Sequence, residues 1–510
     1  MIMKLTTMNK FYITTPLYYV NDEPHIGHAY TTILADVIAR YYKSKGYNTF
    51  FLTGTDEHGQ KVQEAAKRNN VTPKEHVDKF VNRFKDTWKK LDIKYDEFIR
   101  TTDARHTTQV QFVLNYLFTK GEIYQKEYAG LYSVSEERFI TEKEAEEGGY
   151  REIKKLKETN YFFKMSKYQK KLINHINNNQ DFIKPNSRKN EILGFLNNDL
   201  QDLCISRPKK RLSWGIELPF DKDYVTYVWF DALLNYITAI GWNTDEQKFN
   251  TYWPANYHLM AKDILTTHCV YWPTMLMACG IELPKTIFAH GWWLFGNTKM
   301  SKSLGNVIKP LDLADKFGSD ALRYYLMRNM VLGQDANYDY NSFVRRYNSD
   351  LANDFGNVIN RITILISKNF DGKCPEPGIY DKTDLTIIDF ANNVPKLLDK
   401  NMHDLKIHDA LENIFALIRA INKYLETKQP WHLIKDDKKG GSPAATCLYV
   451  SAEMLRISAQ LLLPFIPNKA NTTLKSLSVS KSCNKIEPFG YLKPQTLIES
   501  PGPLFPRIDE

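Results

Sequence analysis

The sequence predicts an α/β protein in which a doubly wound parallel sheet is split by an insertion and followed by an all-α helix bundle. Three observations carry this. Strand-like and helix-like segments alternate near the start, a charge-rich stretch interrupts them before apolar segments resume, and the pattern from about residue 346 onward is helical.

Lys10-Phe11-Tyr12-Ile13-Thr14-Thr15 is β-branched and aromatic and reads as a strand. Apolar Tyr30, Ile33, Leu34, Val37, Ile38 and Tyr41 then recur at helical spacing until Gly46 stops them. A second unit follows: a strand over 48–53, the polar loop Gly54-Thr55-Asp56-Glu57-His58-Gly59, and a helix over 60–69. This β-α-β-α order predicts a parallel sheet, whose ligands bind outside the carboxyl ends of the strands. Asp56 is thereby expected beside the histidines of the preceding helix start. No Gly-x-Gly-x-x-Gly follows either strand, which argues against a nicotinamide dehydrogenase. The expected divisions are 1–116 for the first half of the sheet domain, 117–223 for the insertion, 224–296 for the second half, 297–345 for a lid-bearing linker, and 346–510 for the helical domain and its tail. Pro464, Pro467 and the Pro/Gly-rich stretch 488–506 end the bundle and are expected to wrap back over it.

Two motifs stand out. Pro24-His25-Ile26-Gly27-His28 places two histidines on one face at a helix start, where unpaired N–H groups and the helix dipole favour phosphate oxygens. Gly27 lacks a Cβ, so a nucleotide can approach the backbone. Lys299-Met300-Ser301-Lys302-Ser303, flanked by Gly296 and Gly305, sets two ammonium groups three residues apart on a lid loop, suited to charge developing on phosphates. The competing readings are a helix with two surface histidines and a charged surface turn.

In this order and setting the two motifs resemble the paired nucleotide-binding motifs of class I aminoacyl-tRNA synthetases, whose catalytic domain is Rossmann-type. The resemblance narrows to the methionyl-tRNA synthetase family and runs over most of the chain. It is carried by Thr14-Thr15-Pro16-Leu17-Tyr18-Tyr19-Val20-Asn21, the 54–59 loop, Tyr227-Val228-Trp229-Phe230-Asp231-Ala232, Ala261-Lys262-Asp263-Ile264 through His268 and Trp272-Pro273, and Ala289-His290-Gly291-Trp292.

The resemblance implies catalytic roles for His25, His28, Lys299 and Lys302, and ATP contacts from His25, Gly27, His28, Asp263, His290, Gly291 and Lys302. It implies a methionine pocket in which Tyr19, Trp229, Ala232, Tyr236, Ile264, His268 and Trp272 surround the side chain while Leu17 and Asp56 hold the backbone. A thioether is apolar and polarizable with a weak acceptor sulfur, so an aromatic box with a donor suits it, and Tyr19 and His268 are the candidate donors. Ordinary core packing is the competing account of Trp229 and Trp272. Two departures from the family pattern occur: Thr266-Thr267 precedes His268 where an aromatic is usual, and Leu233 replaces a common proline. Asn357, Arg361 and Trp431 match residues that read the CAU anticodon. Asn357 and Arg361 share a helix face, and Trp431 offers either a stacking surface or a helix-start packing residue.

A composition of 43% apolar and 25% charged residues is that of a globular protein, and no apolar run reaches membrane-spanning length. Residues 1–10 carry neither a signal core nor an arginine-rich transit pattern, so the cytoplasm is expected. A net charge of +9 suits a polyanionic partner, and Arg207-Pro208-Lys209-Lys210-Arg211 is the basic run set to meet an acceptor stem, against the reading of a solvated face. The six cysteines form no C-x-x-C pair, and Ser133 and Ser135 stand where many relatives have zinc-binding cysteines. The resemblance is therefore to the zinc-free branch, with no metal ligands expected. No further β-barrel module follows, and a monomer is expected.

The expectation is thus ATP-dependent ligation of L-methionine to its initiator and elongator tRNAs, with Mg2+ on the phosphates. Isoleucine, valine or leucine synthetases would need a large editing insertion, and a cysteine enzyme would need zinc thiolates. A non-catalytic RNA-binding descendant would be expected to lose His28 or Lys302, and a small nucleotidyltransferase would need neither the lysine motif nor the helical domain.

Overall fold

The computed structural model describes residues 9–133, 138–140, 142–147, 152–300, 307–436, 439–479 and 486–508. Ser135 and Lys302 lie outside the described residues, as does the rest of the lysine motif after Met300. Two compact units make up the chain. One comprises Met1–Pro24, Asn48–Trp88 and Lys94–His290, and the other His25–Tyr47, Lys89–Ile93 and Gly291–Glu510. The histidine-bearing helix α1 (Ile26–Ser44) groups with the second unit.

The first unit is built on a six-stranded, all-parallel sheet of β1 (Lys10–Tyr19), β2 (Asn48–Asp56), β3 (Glu97–Arg100), β4 (Ile183–Lys184), β5 (Tyr257–Ala261) and β6 (Ile287–His290), in the order β3-β2-β1-β5-β6-β4. The chain leaves β1 toward β2 on one side and returns to its other side at β5. That reversal opens a ligand crevice at the carboxyl ends of β1 and β5. The edge strand β4 comes from inside the stretch read as an insertion. Two residues long, it pairs Ile183 with Ile287 and carries no periodic signal.

β1 is interrupted where it matters. Its register with β2 shifts between Thr14 and Leu17, around Pro16, which has no N–H to give a ladder. The shift aims Leu17 at Gly54, where a Cβ would stand 2.0 Å from the Ile99 carbonyl oxygen and 2.9 Å from the Leu17 side chain, so only glycine fits. Helix α2 (Ala104–Thr119) and the short helix α3 (Val228–Leu233) belong to the same unit.

The inserted stretch also forms an antiparallel sheet of Arg138–Ile140, Ile123–Ser133, Ile153–Phe163 and Leu203–Cys204. Here the basic run differs from expectation. Arg207 is 2% exposed, its guanidinium 4.6 Å from the Tyr227 ring and 5.5 Å from that of Tyr132. Arg211 lies 4.5 Å from the Tyr132 ring and 3.0 Å from Glu158, and Lys209 pairs with Glu217 at 2.6 Å. Both arginines are engaged inside the fold, because a weakly hydrated planar cation stacks on aromatic faces.

The second unit contains α1, α4 (Ser319–Asn329), α5 (Asn357–Asn369), α6 (Lys382–His403), α7 (Ile407–Lys428), α8 (Pro430–Asp436), α9 (Pro443–Leu462) and α10 (Pro467–Ser476). The tail returns onto α9: Glu453 accepts from the backbone N–H of Gly490 and Tyr491 at 2.8 and 3.2 Å, and Arg456 donates to the Pro488 carbonyl at 2.8 Å. Among the described residues no helix is long and apolar enough to cross a membrane.

Candidate active site

In the first unit the predicted pocket residues gather at the crevice. Leu17 and Tyr19 are half-buried at the end of β1, and the Lys61 ammonium lies 5.9 Å from the Tyr19 ring centroid. Asp56 is buried at the end of β2. Trp229, half-buried, and Ala232, buried, sit on α3, while half-buried Ile264 and exposed Asp263 follow β5. His268 lies in a π-helical turn, Thr267–Tyr271, which runs into the helix Trp272–Cys279. Single π turns of this kind often mark sites. In place of the usual aromatic, Thr266 is half-buried and Thr267 buried.

Behind the half-exposed rings stands a second, fully buried layer whose hydrogen bonds fix the tautomer of both its imidazoles. His268 Nδ1 is 3.0 Å from the Ile264 carbonyl, which can only accept, so the proton is on Nδ1; Nε2 then accepts from the Tyr236 hydroxyl at 2.8 Å. The expectation that His268 donates to sulfur is corrected: its one proton is committed to backbone, and its role is to hold Tyr236. His258 is fixed in the same way. The Trp272 indole N–H donates to its Nε2 at 3.3 Å, so its Nδ1–H donates to Thr14 Oγ1 at 2.7 Å. Burial holds His258 well below its usual range, helped by neighbouring His268, and burial lowers His268 to about 4. Both imidazoles are neutral. Trp229 meets His268 edge to face at 6.3 Å and Tyr236 lies 5.8 Å from Trp272, so the aromatic box is continuous.

In the second unit His25 is the N-cap of α1. Its Nδ1 accepts from the Gly27 N–H at 3.1 Å, and the His25 N–H donates in turn to His28 Nδ1 at 3.3 Å, a reciprocal capping box with the rings stacked at 3.7 Å. With both Nδ1 atoms accepting, both protons sit on Nε2. Desolvation, and then His25 beside it, hold His28 well below its usual range, so it supplies an N–H donor without a charge. Gly27 also gains a local explanation: a Cβ there would stand 2.9 Å from His25 Cε1, so glycine makes room for the cap. Gly291 is similar, its missing Cβ falling 2.0 Å from the Gln334 carbonyl oxygen. In the first unit, His290 is buried at the end of β6. Lys299 pairs with Leu294 in the strand Thr298–Lys299.

Among the helices, Asn357 is exposed at the start of α5 and Arg361 one turn on is half-buried. The Arg361 guanidinium lies 5.2 Å from the ring of half-buried Trp431 on α8 and 3.6 Å from Glu426. The structure thus joins two of these residues into one cation–π surface beside which Asn357 shares a helix face.

Comparison with known proteins decides what this assembly belongs to. A family described as tRNA synthetases class I (M) matches residues 11–149 and 147–363, and one described as the anticodon binding domain of methionyl tRNA ligase matches 374–510. The chain belongs to the methionyl-tRNA synthetase family. A methionine–tRNA ligase of Caldanaerobacter subterraneus subsp. tengcongensis is 44% identical, covering 98% of this chain and 79% of the relative; that of Clostridium tetani is 46% identical with the same coverage. Among solved structures, Mycobacterium tuberculosis methionyl-tRNA synthetase in complex with methionyl-adenylate superposes with a TM-score of 0.93 at 38% identity, covering 98% of this chain and all of that one.

For a methionyl-tRNA synthetase, the buried-layer residue that sequence reasoning missed is His258, whereas Tyr236, His268 and Trp272 were among its candidates. His258 sits in the strand Tyr257–Ala261, where a lone histidine gives no signal until Trp272 and Thr14 are seen on either side. The two buried imidazoles also set an acid limit. In the unfolded chain they bind protons near pH 6.5, whereas in the fold they stay neutral, so the unfolded state holds more protons and stability rises with pH. Each is expected to remove about 1.4 kcal/mol per pH unit as the pH falls below about 6.5. Urea midpoints at pH 5 and 7 check this, and His268→Gln should reduce the slope.

Proposed function

We propose that the chain joins L-methionine to the tRNAs that accept it, initiator and elongator, through methionyl-adenylate. The methionine carboxylate attacks the α-phosphate of ATP and pyrophosphate leaves; a hydroxyl of the terminal ribose of the tRNA then attacks the acyl carbon and AMP leaves. The observation that carries the substrate choice is the aromatic box closed by tautomer-fixed imidazoles, with the Asp56 carboxylate at the end of the neighbouring strand.

Leu17 and Asp56 take the amino-acid backbone, Asp56 by a charge-assisted bond to the ammonium. Tyr19, Trp229, Ala232, Tyr236, Ile264, His268 and Trp272 enclose the thioether, with Tyr19 as donor to sulfur. His25 and His28 offer Nε2–H groups to phosphate oxygens, Lys299 and Lys302 offer charge, and Asp263, His290, Gly27 and Gly291 complete the ATP contacts. ATP enters with Mg2+ on its phosphates. Position and electrostatics accomplish the chemistry, without a covalent enzyme intermediate. We take the enzyme to act as a cytoplasmic monomer without structural zinc. The zinc-free reading rests on the lack of any C-x-x-C pair in the sequence; Ser133 itself is buried next to Tyr132, whose ring meets the Arg207 and Arg211 guanidinium groups. Among the described residues no cluster of three or more His, Cys, Asp or Glu is placed to hold a metal.

Methionine-dependent exchange of pyrophosphate into ATP without tRNA tests the first step, and charging of methionine tRNA tests the second. Trp431→Ala separates them. If the indole stacks on an anticodon base, charging should lose about 1–3 kcal/mol while exchange stays unchanged. A packing role for Trp431 predicts instead a lowered melting temperature with both activities falling together.

A further inference from the structure

Trp229 and Ala232, the pocket residues on α3, flank Asp231, a residue given no role above. Asp231 is completely buried and its carboxylate accepts two bonds, from His58 Nδ1 at 2.6 Å and from His106 Nε2 at 2.7 Å. Burial works to raise its pKa, but the two imidazoles outweigh this and hold it below the usual carboxylate range, so it stays ionised. His106, on α2, is entirely buried too, and its Nδ1 meets no hydrogen-bond partner among the described residues. Its ring is therefore oriented by Asp231.

His58 lies two residues beyond Asp56. Between them Glu57, fully buried, takes a two-pronged bond from Arg100 at 2.7 and 2.8 Å and hydroxyl bonds from Thr55 and Thr102 at 2.6 and 2.5 Å. The Trp214 indole N–H donates to the Glu57 carbonyl at 2.6 Å. The Asp56 loop is thus pinned to β3 through Glu57 and to α3 through His58. A neutral core would need neither contact. A box that separates side chains differing by one methylene, worth only about 1–3 kcal/mol, needs walls that do not yield.

We propose that Asp231, acting through His58, is a positioning residue that fixes the spacing between the Asp56 carboxylate and the Trp229–Ala232 wall, and so sets the length of side chain the pocket accepts. This rests on reading Asp56 as the ammonium contact and Trp229 as a side-chain contact. The link through His106 reaches only α2 and has no part in the spacing.

The test compares His58→Ala, His58→Asn and His106→Ala in full-length enzyme by pyrophosphate exchange, with methionine and with ethionine, which is one methylene longer. His58→Ala should raise the methionine KM and lower the preference for methionine over ethionine, each about tenfold, with the ATP KM within about twofold of the parent. His58→Asn, whose amide nitrogen replaces Nδ1, should recover most of the preference. His106→Ala should lower the melting temperature and leave the preference alone. An unchanged preference in His58→Ala overturns the proposal, as does a parallel worsening of methionine and ATP parameters that asparagine does not rescue. Failure of the parent to exchange with methionine would instead overturn the underlying pocket reading.

Discussion

Replacing Lys302 with alanine is expected to slow adenylate formation by roughly two to three orders of magnitude, about 3 kcal/mol, with methionine KM little changed. The state of the two histidines sharpens the reason. Their Nδ1 atoms cap the start of α1, which turns both Nε2–H groups outward as donors, and His28 is held neutral. On the function proposed above, the charge that builds on the departing pyrophosphate falls chiefly to the ammonium groups of the lysine motif. An interaction made chiefly in the transition state lowers the rate and not ground-state binding. Pre-steady-state adenylate formation and methionine KM, measured on the same preparation, check this. An unchanged rate removes Lys302 from the mechanism, and a loss confined to KM makes it a ground-state contact.

What the sequence revealed of this site, and what it hid, follows from the range of the interactions. Strands such as 10–15 and 48–53 and the helix that begins at Ile26 are written in local periodicity and reappear as β1, β2 and α1. Two-residue β4 has no period to read and is defined only by Ile287 across the ladder. Which residues gather at the strand ends could be read from the motifs, because these retain their spacing. The protonation states could not, since the tautomer of His268 depends on a carbonyl four residues back and a hydroxyl 32 residues away. The basic run misled for the same reason. Charge in a sequence reads as solvated surface, yet Arg207 and Arg211 find Tyr132, which lies about 75 residues earlier along the chain and on the neighbouring sheet.

Replacing Asp36 with leucine is expected to destabilise the enzyme by about 3–5 kcal/mol, the usual cost of removing one partner from a buried ion pair. Asp36 on α1 and Arg323 on α4 are both fully buried and meet at 2.6 Å. Arg323 also donates to the carbonyls of Leu91, Pro464 and Phe465 at 3.2, 2.9 and 2.9 Å, so one guanidinium ties the histidine helix to the turn between α9 and α10. A guanidinium keeps its charge at ordinary pH, so without Asp36 it loses its hydrogen-bonded carboxylate and is left with carbonyl dipoles and the less direct charge of Asp320. Asp36→Leu combined with Arg323→Met should therefore lose less than the sum of the two single changes, as read from denaturant midpoints at constant m-value. Additive losses would mean that the two residues contribute separately, through Arg40 and the carbonyls, rather than as a pair. Because the helix that loses its anchor is the one bearing His25 and His28, exchange and charging should fall to the same extent in Asp36→Leu. That outcome differs from Trp431→Ala, where charging alone should fall.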